Sequence, residues 1–348
     1  MSNVPAVAVV GCGYWGRNLV RNFGQLGALR AVCDANADTL ARLPLEPGVR
    51  RVARFDEILA DQTIDAVVLA TPAAMHADQA RQAIEHGKHL FVEKPLALRF
   101  SDGVEIVRRA ETRGRVLMVG HILEYHPAVA LLKRLVHDGE LGRIWYIYSN
   151  RLNLGKVRQE ENILWSFAPH DLSVITSLTN AEPVSVSAIG SNYLQDGIAD
   201  VTITNLAFAN GVNAHIFVSW LHPYKEQRLV IIGDRKMAVL DDTVREGKVR
   251  IYDKGIDWKD GVPVPRRTSE TTLFPEEVEP LRIECAHFLD CVRNGRTPLT
   301  NGANALTVLR LLEASQLSLD RGGVPVLLAS IGELPAPGMA GATGEPRP

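Results

Sequence analysis

The stretch that decides the fold is AVAVVGCGYWG, at residues 6–16. A run of apolar residues comes first, as in a strand that is buried on both faces of a parallel sheet. A G-x-G-x-x-G loop follows and leads into a helical segment near Asn18 to Leu26. Strand, glycine loop and helix in this order predict the first βαβ unit of a dinucleotide-binding Rossmann domain.

The three glycines of this loop have separate physical tasks. Gly11 permits the tight turn, Gly13 lets the backbone approach a pyrophosphate, and Gly16 lets the helix pack closely on the strand. Tyr14 and Trp15 complete the loop, and the free amides at the helix N-terminus face the phosphates. We therefore predict that the whole loop binds the cofactor.

Asp34 follows the second predicted strand, where a carboxylate hydrogen-bonds the adenosine ribose. A carboxylate at this place repels a 2′-phosphate, and Ala35 and Asn36 supply no cation to offset that repulsion. NAD is therefore favoured over NADP, although Arg42 is a cation that could reach in from the helix beyond. The alternative is that Asp34 only caps the segment that follows.

Strands and helices continue to alternate as far as about residue 120, which predicts a doubly wound parallel sheet and a Rossmann domain over residues 1–121. Residues 122–330 then predict an α+β substrate and oligomerisation domain, in which short alternating strands form a mainly antiparallel sheet. The strands are expected at 143–151, 184–189, 200–208, 211–220, 227–233, 237–241 and 248–253, and two helices at 277–294 and 303–320. Residues 331–348, rich in Pro, Gly and Ala, predict a disordered tail.

Composition excludes several other classes of protein. The chain has 348 residues, 46% of them hydrophobic and 22% charged, which suits two globular domains. A net charge of -2 gives no reason to expect nucleic acid. No apolar run is long enough to span a bilayer and no leader is evident, so we expect a cytoplasmic protein without a membrane partner. The four cysteines do not have metal-site spacing, and no metal is expected.

The triplet Glu93-Lys94-Pro95 follows another buried strand, His89 to Val92. Ligands of open α/β sheets bind at this carboxyl edge. Pro95 fixes its own φ and biases Lys94 toward an extended conformation. A lysine held beside a cofactor suits catalysis, whereas a lysine at an arbitrary position is more often a solvated surface residue.

With these motifs in place, the chain resembles the glucose–fructose oxidoreductase/inositol dehydrogenase/MocA (Gfo/Idh/MocA) family up to about residue 330. The resemblance rests on the glycine loop with Asp34, on Ala70-Thr71-Pro72 leading to His76, on Glu93-Lys94-Pro95, and on Ala168-Pro169-His170-Asp171-Leu172. It implies that Lys94 and His170 flank a reacting carbinol. It adds Thr71, Pro72, His76, Glu93 and Lys94 to the residues that bind NAD.

The implied reaction is transfer of a hydride between a sugar carbinol and the nicotinamide. Histidine has an unperturbed pKa of about 6.5 and lysine one of about 10.4, so His170 is favoured as the acid/base. Lys94 then orients and polarises the substrate oxygen, or shares the proton. The family pattern often has an aspartate one helical turn before the histidine, where this chain has Ser166. Asp171 points elsewhere on the helix and is not expected to replace it freely.

Further substrate-binding candidates follow the last Rossmann strand or precede His170. Tyr125 and His126 are predicted to line the cleft, or else to be ordinary polar residues at a helix start. Arg151 and Arg158 belong to a basic segment that suits an anionic group such as a diphosphate, although neighbouring acids also suit a solvated loop. The full predicted set of substrate contacts is Lys94, Tyr125, His126, Arg151, Arg158, Trp165, His170 and Asp171.

The stretch Asn162-Ile163-Leu164-Trp165 resembles family members that act on nucleotide-linked sugars. The resemblance therefore implies a UDP-N-acetylhexosamine 3-dehydrogenase that serves amino-sugar synthesis for surface glycans. The alternatives are an inositol or free-sugar dehydrogenase, a nucleotide-sugar ketoreductase, and an NAD-binding regulator without catalysis. One face of the second sheet lacks predicted helices, so we also expect a homo-oligomer, a dimer or tetramer.

Overall fold

The structure, a computed structural model, describes residues 4–334. Among these residues, a six-stranded sheet is followed by a nine-stranded sheet, with helices packed on both. This confirms the predicted fold class. Of the predicted tail at 331–348, residues 335–348 lie outside the described residues.

The first sheet is parallel throughout and has the strand order β3-β2-β1-β4-β5-β6. Its central strands β1 and β4 are buried on both faces because helices cover both sides. The strands are β1 Val7–Val10, β2 Leu29–Cys33, β3 Arg50–Val52, β4 Ala66–Leu69, β5 His89–Val92 and β6 Leu117–Val119. The helices between them are α1 Gly16–Gln25, α2 Ala37–Ala41, α3 Phe55–Ala60, α4 Ala73–Glu85 and α5 Phe100–Thr112.

The second half begins with a short 3-10 turn, Ile122–Tyr125, and continues with α6 Pro127–His137 and α7 Ile163–Thr179. Its sheet has the order β14-β13-β12-β11-β7-β10-β9-β8-β15 and is antiparallel except where β10 pairs with β7. The strands are β7 Ile144–Leu154, β8 Pro183–Ser191, β9 Val201–Phe208, β10 Asn213–Ser219, β11 Leu221–Gly233, β12 Met237–Asp241, β13 Val249–Lys259, β14 Val262–Leu273 and β15 Val326–Leu327. A mainly antiparallel sheet was predicted, but the strands β14 and β15 were not.

The last two helices, α8 Pro280–Asn294 and α9 Gly302–Asp320, return to the Rossmann sheet. Phe288 of α8 packs edge-on against Phe23 and Phe91, with ring centroids 6.3 and 5.6 Å apart. Leu306 and Leu309 of α9 belong to the hydrophobic cluster on the other Rossmann face. The two halves therefore share their cores, and this fixes the crevice between them.

Within residues 4–334, no helix combines the length and the apolar character that crossing a membrane requires.

Candidate active site

The glycine loop has the shape that its sequence predicts. Gly11 has φ +86°, and a Cβ built on it would lie 2.6 Å from the Thr71 amide nitrogen, so only glycine fits. A Cβ on Gly16 would collide with the Gly11 carbonyl oxygen, whereas one on Gly13 would meet nothing within 4 Å. Gly13 is thus required by no contact within the protein, as expected where a ligand approaches the backbone. No side chain caps the N-terminus of α1 at Trp15, and the Arg17 and Asn18 amides donate to the carbonyl oxygens of Gly13 and Trp15, so α1 offers a pyrophosphate its Gly16 amide and the positive end of its dipole.

Asp34 is held beside this loop by backbone amides. Its Oδ2 accepts a hydrogen bond from the Cys12 amide at 2.7 Å, and its Oδ1 accepts one from the Asn36 amide at 2.9 Å. An open groove of about 1220 Å³ starts at Cys12 and Gly13 and runs past Asn36 to Arg42. Asp34 is bonded to Cys12 and Asn36, which both line this groove, and Arg42 lies along the same groove.

Thr71, Pro72 and His76 form a brace between β4 and β5. The His76 ring nitrogens lie 2.8 Å from the Pro95 carbonyl oxygen and 2.9 Å from that of Thr71, and the residue is buried. Thr71 Oγ1 donates to Gln79 Oε1 at 2.6 Å. His76 thus fixes the loop that carries Lys94 and touches the cofactor region only through its neighbours.

Glu93 joins the glycine loop to the end of β5. Trp15 Nε1 donates to Glu93 Oε1 at 2.5 Å, and a Cβ on Gly120 would lie 2.9 Å from Glu93 Oε2. Burial raises the pKa of Glu93 to about 7, against the opposing effects of the Trp15 hydrogen bond and of Lys94. The side chain therefore positions Trp15 and occupies the space that Gly120 leaves open.

Lys94 links the two halves of the chain. Its Nζ donates to the carbonyl oxygen of Ser166, in α7, at 2.8 Å. Burial lowers the pKa of Lys94, and the nearby Arg158 and Arg151 act in the same direction, while Glu161 and Glu93 oppose them. The ammonium reaches the helix turn that precedes His170, which places it beside the predicted acid/base.

His170 lies on α7, facing the region of Lys94. Its Nδ1 is buried and has no hydrogen-bond partner among the described residues. Burial lowers the pKa of His170 well below its usual value, and Lys94, Arg151 and His121 add to the effect. The imidazole is therefore neutral near pH 7 and available as a proton acceptor.

His121, which the sequence analysis did not select, belongs to the same cluster. It is 2% exposed, and burial together with Lys94 lowers its pKa to about 3. A second unselected group, Glu284 of α8, is fully buried, and burial followed by Glu93 raises its pKa well above the usual value. The position of His121 just beyond β6 was a usable signal; nothing in the sequence around Glu284 indicated its position.

Asp171 and Arg151 pair with each other behind the crevice. Arg151 Nε donates to Asp171 Oδ2 at 2.8 Å, and the Ser149 hydroxyl donates to Asp171 Oδ1 at 2.6 Å. The pair lies between α7 and β7, and Asp171 is 3% exposed. Asp171 points away from His170, as expected from the helical geometry, and Ser166 supplies only its carbonyl oxygen to Lys94.

Two of the remaining predicted substrate contacts, Tyr125 and His126, lie away from the Lys94 cluster. The Tyr125 hydroxyl lies 3.3 Å from Thr300 Oγ1 in a hydrophobic cluster of the Rossmann half, so Tyr125 is a core residue in this structure. His126 accepts from the Ala128 amide at the start of α6 and lies 3.3 Å from Asp242. Neither side chain is brought to Lys94.

Arg158 and Trp165 lie around the start of α7. Arg158 is close enough to affect Lys94, and its side chain is 41% exposed. Trp165 Nε1 donates to Gln316 Oε1 at 3.0 Å, and its ring packs against clusters of both halves. Of the two, only Arg158 carries a charge, and its Nε lies 3.7 Å from Glu161 Oε1, so an anionic ligand would compete with that carboxylate.

Comparison with known proteins assigns both halves. The family model described as "Oxidoreductase family, NAD-binding Rossmann fold" matches residues 6–121, and the "GFO/IDH/MocA C-terminal domain" model matches residues 129–239. The first half is therefore an NAD-binding Rossmann domain, which confirms the predicted cofactor.

The similar proteins include sugar and inositol dehydrogenases, and also 2,7-anhydro-N-acetylneuraminate hydratases. UDP-N-acetylglucosamine 3-dehydrogenase of Acidithiobacillus ferrooxidans is 28% identical over 302 residues, which cover 86% of this chain and 93% of the relative. The scyllo-inositol 2-dehydrogenase (NAD(+)) of Bacillus subtilis is 29% identical over 346 residues, which cover 94% and 97%. The solved structure of the Acidithiobacillus enzyme superposes with a TM-score of 0.78 at 26% identity, covering 91% of this chain and 97% of that one.

Proposed function

Because the chain belongs to the Gfo/Idh/MocA oxidoreductase family, we propose that its crevice oxidises a sugar carbinol with NAD, through Lys94 and His170. The observation that carries this proposal is the contact between Lys94 Nζ and the helix turn that precedes His170. It joins an ammonium on the cofactor domain to an imidazole on the other half, at the carboxyl edge of the Rossmann sheet.

The two side chains divide the work. Neutral His170 accepts the hydroxyl proton of the carbinol, and Lys94 donates a hydrogen bond that polarises the same oxygen. NAD, when bound, supplies the nicotinamide carbon that accepts the hydride. The glycine loop, the N-terminus of α1 and Asp34 hold the dinucleotide, and the same groups serve ketone reduction in reverse.

For the substrate, we propose a UDP-N-acetylhexosamine oxidised at C3. Arg158 is the cation near Lys94 that a diphosphate could reach, in competition with Glu161 at 3.7 Å, because Arg151 is already paired with Asp171. The similarity to UDP-N-acetylglucosamine 3-dehydrogenase supports the same substrate class. The similarity to scyllo-inositol 2-dehydrogenase favours an inositol as the second candidate.

The experiment is to follow NADH absorbance with a panel of UDP-sugars, free sugars and inositols. We expect turnover with UDP-N-acetylglucosamine or a close relative. Arg158→Ala should raise KM for a UDP-sugar roughly tenfold or more, since a charged hydrogen bond contributes about 1.5–3 kcal/mol. The control is Arg54→Ala, which removes an exposed arginine paired with Asp56. Equal KM values for the UDP-sugar in wild type and Arg158→Ala would favour an inositol as the substrate. Tight NAD binding without turnover of any compound would reject the proposal that the protein is an enzyme.

Asp34 supports NAD over NADP. The carboxylate, fixed by the Cys12 and Asn36 amides, would lie near a 2′-phosphate and repel it. We expect kcat/KM to be higher with NAD, and the ratio of the two values to fall in Asp34→Ser. A preference for NADP would assign the decisive role to Arg42 instead.

A homo-oligomer in the cytoplasm remains our proposal for the protein's assembly and location. Ile189, Ile203 and Phe217 pair across β8, β9 and β10 on the sheet face that carries no helix. Ile189 and Ile203 are 54% and 38% exposed in the single chain. Light scattering tests whether a second copy covers this face, and Ile203→Lys should then lower the measured mass.

A further inference from the structure

The imidazole of His121 lies at the same sheet edge as Lys94, one strand farther along. β5 and β6 pair in parallel, with Val92 opposite Val119. Lys94 follows Val92 by two residues, and His121 follows Val119 by two residues. The register therefore brings both side chains to the edge of the sheet where ligands bind.

Neither ring nitrogen of His121 has a hydrogen-bond partner among the described residues, although the residue is only 2% exposed. His76 is a buried imidazole with a partner inside the fold, because its ring nitrogens lie 2.8 and 2.9 Å from the carbonyl oxygens of Pro95 and Thr71, and its N–H donates to one of them. A buried polar atom without a partner costs free energy and is rare in native structures. Both ring nitrogens of His121 are thus available to form hydrogen bonds with a ligand.

The cluster holds more polar atoms than one hydroxyl can satisfy. Lys94 uses one of its donors on Ser166, and His170 Nδ1 is also without a partner among the described residues. The pKa values of His121 and His170 are both lowered by burial and by Lys94, so two neutral imidazoles lie beside one ammonium. A ligand that pairs all of them needs a second polar group next to the reacting oxygen.

We propose that His121 contacts the substrate and hydrogen-bonds the polar substituent next to the reacting carbinol, while Lys94 and His170 hold the carbinol itself. The inference rests on the proposed function, which supplies a sugar whose neighbouring carbons carry hydroxyl or acetamido groups. A neutral imidazole suits either group because it donates through one nitrogen and accepts through the other. An analogue without that substituent leaves His121 unpaired and is rejected.

A stability measurement tests this without any substrate. In His121→Leu, an apolar side chain of similar size replaces the unpaired ring, and we expect Tm to rise by about 2 °C or more. The matched control is His76→Leu, in which the carbonyl oxygen that accepts from the ring N–H loses its donor, so that Tm should fall. A fall in Tm for His121→Leu as well would assign His121 to the structural core and overturn the proposal.

Kinetics supply the second readout. We expect His121→Leu to lower kcat/KM for UDP-N-acetylglucosamine roughly 10- to 100-fold, while the Kd for NADH stays unchanged. His121→Gln, which keeps a donor and an acceptor, should retain more activity than His121→Leu. Unchanged kcat/KM in His121→Leu would overturn the proposal even if Tm rises.

Substrate analogues identify the contact. Wild type should discriminate against UDP-glucose, which lacks the acetamido group, or against the 4-deoxy sugar, and His121→Leu should lose one of these preferences. If the panel yields an inositol, the analogue is a deoxyinositol that lacks the adjacent hydroxyl. If no compound is oxidised, the proposed function fails and the substrate contact of His121 fails with it. If a compound is oxidised but Tm falls in His121→Leu, the inference about His121 fails alone. Equal discrimination by wild type and His121→Leu against every analogue would overturn it.

Discussion

The two polar clusters on either side of α7 differ in whether their polar atoms are hydrogen-bonded within the protein. The crevice cluster, Lys94, His121 and His170, leaves three ring nitrogens without a partner among the described residues. The interior cluster, Ser149, Arg151 and Asp171, is closed by its own hydrogen bonds at 2.6 to 3.1 Å. His170 and Asp171 are adjacent in sequence, yet one faces a ligand site and the other a salt bridge.

The difference between the two clusters separates residues that serve ligand binding from residues that stabilise the fold. A polar group that the chain satisfies by itself contributes to folding, and its loss leaves a buried partner unpaired. A polar group that the chain leaves unsatisfied lowers stability and is available to a ligand. The following experiments test this separation, beginning with the largest expected effect.

Lys94→Ala should abolish turnover, by roughly 10⁴-fold or more, because it removes the group that polarises the carbinol oxygen. The Kd for NADH should change little, since the glycine loop, the N-terminus of α1 and Asp34 still hold the dinucleotide. The matched control is Lys88→Met. Lys88 is 3% exposed and bonded to the carbonyl oxygens of Asp61 and Ile64, so its loss should lower Tm and spare kcat. An active Lys94→Ala enzyme would reject the proposed site.

Asp171→Asn should lower the free energy of unfolding by about 3 kcal/mol or more, because the Arg151 guanidinium stays buried without its counter-charge. Urea denaturation measures this loss. Replacing both partners, as in Arg151→Met with Asp171→Leu, should recover much of the stability. If Asp171→Asn is as stable as wild type, the interior cluster is not a closed ion pair and the comparison fails.

Acid should destabilise the crevice cluster. His121 has a folded pKa of about 3, below the value of about 6.5 for an unfolded histidine, so between these values the unfolded state binds the extra proton. The stability that depends on a neutral His121 is present above about pH 6.5 and is lost as pH falls toward 3. The advantage of His121→Leu over wild type in free energy of unfolding should therefore grow by roughly 1 kcal/mol per unit from pH 6 to pH 5.

The difference between the two proteins isolates His121. Glu93, whose pKa is raised to about 7, loses its stabilising protonated form as pH rises, in wild type and variant alike. Its effect therefore cancels when the two urea titrations are subtracted at each pH. A difference that is independent of pH would mean that His121 is not held neutral in the folded protein.

Ser149→Ala should have the smallest effect, a loss of about 1 kcal/mol in the free energy of unfolding. It removes the hydroxyl that donates to Asp171 Oδ1 while the Arg151 pair stays intact. Thermal unfolding compares it with Ser269→Ala, on the exposed strand β14, for which we expect less than about 0.5 kcal/mol. A larger loss at Ser269 than at Ser149 would contradict the ranking.

The prediction of secondary-structure elements was correct where the local hydrophobic pattern was strong. The apolar runs of β1 and β5 were predicted within one residue of their observed bounds, and β1 is buried along its whole length. β3, Arg50–Val52, was missed because its arginines are exposed at the sheet edge. β14, Val262–Leu273, was missed because it extends into solvent with hardly any buried face, so no hydrophobic period indicates it.

The sequence by itself determined the NAD-binding domain, because a strand, a glycine loop and a helix are local features whose spacing dictates their geometry. It also indicated Lys94 and His170, through short motifs. Only the tertiary structure decided which polar groups are paired, because Lys94 meets Ser166 across 72 residues and His121 joins them through strand register. Whether a polar atom is hydrogen-bonded depends on its surroundings in three dimensions. Residues adjacent in sequence can have different surroundings, as His170 and Asp171 show.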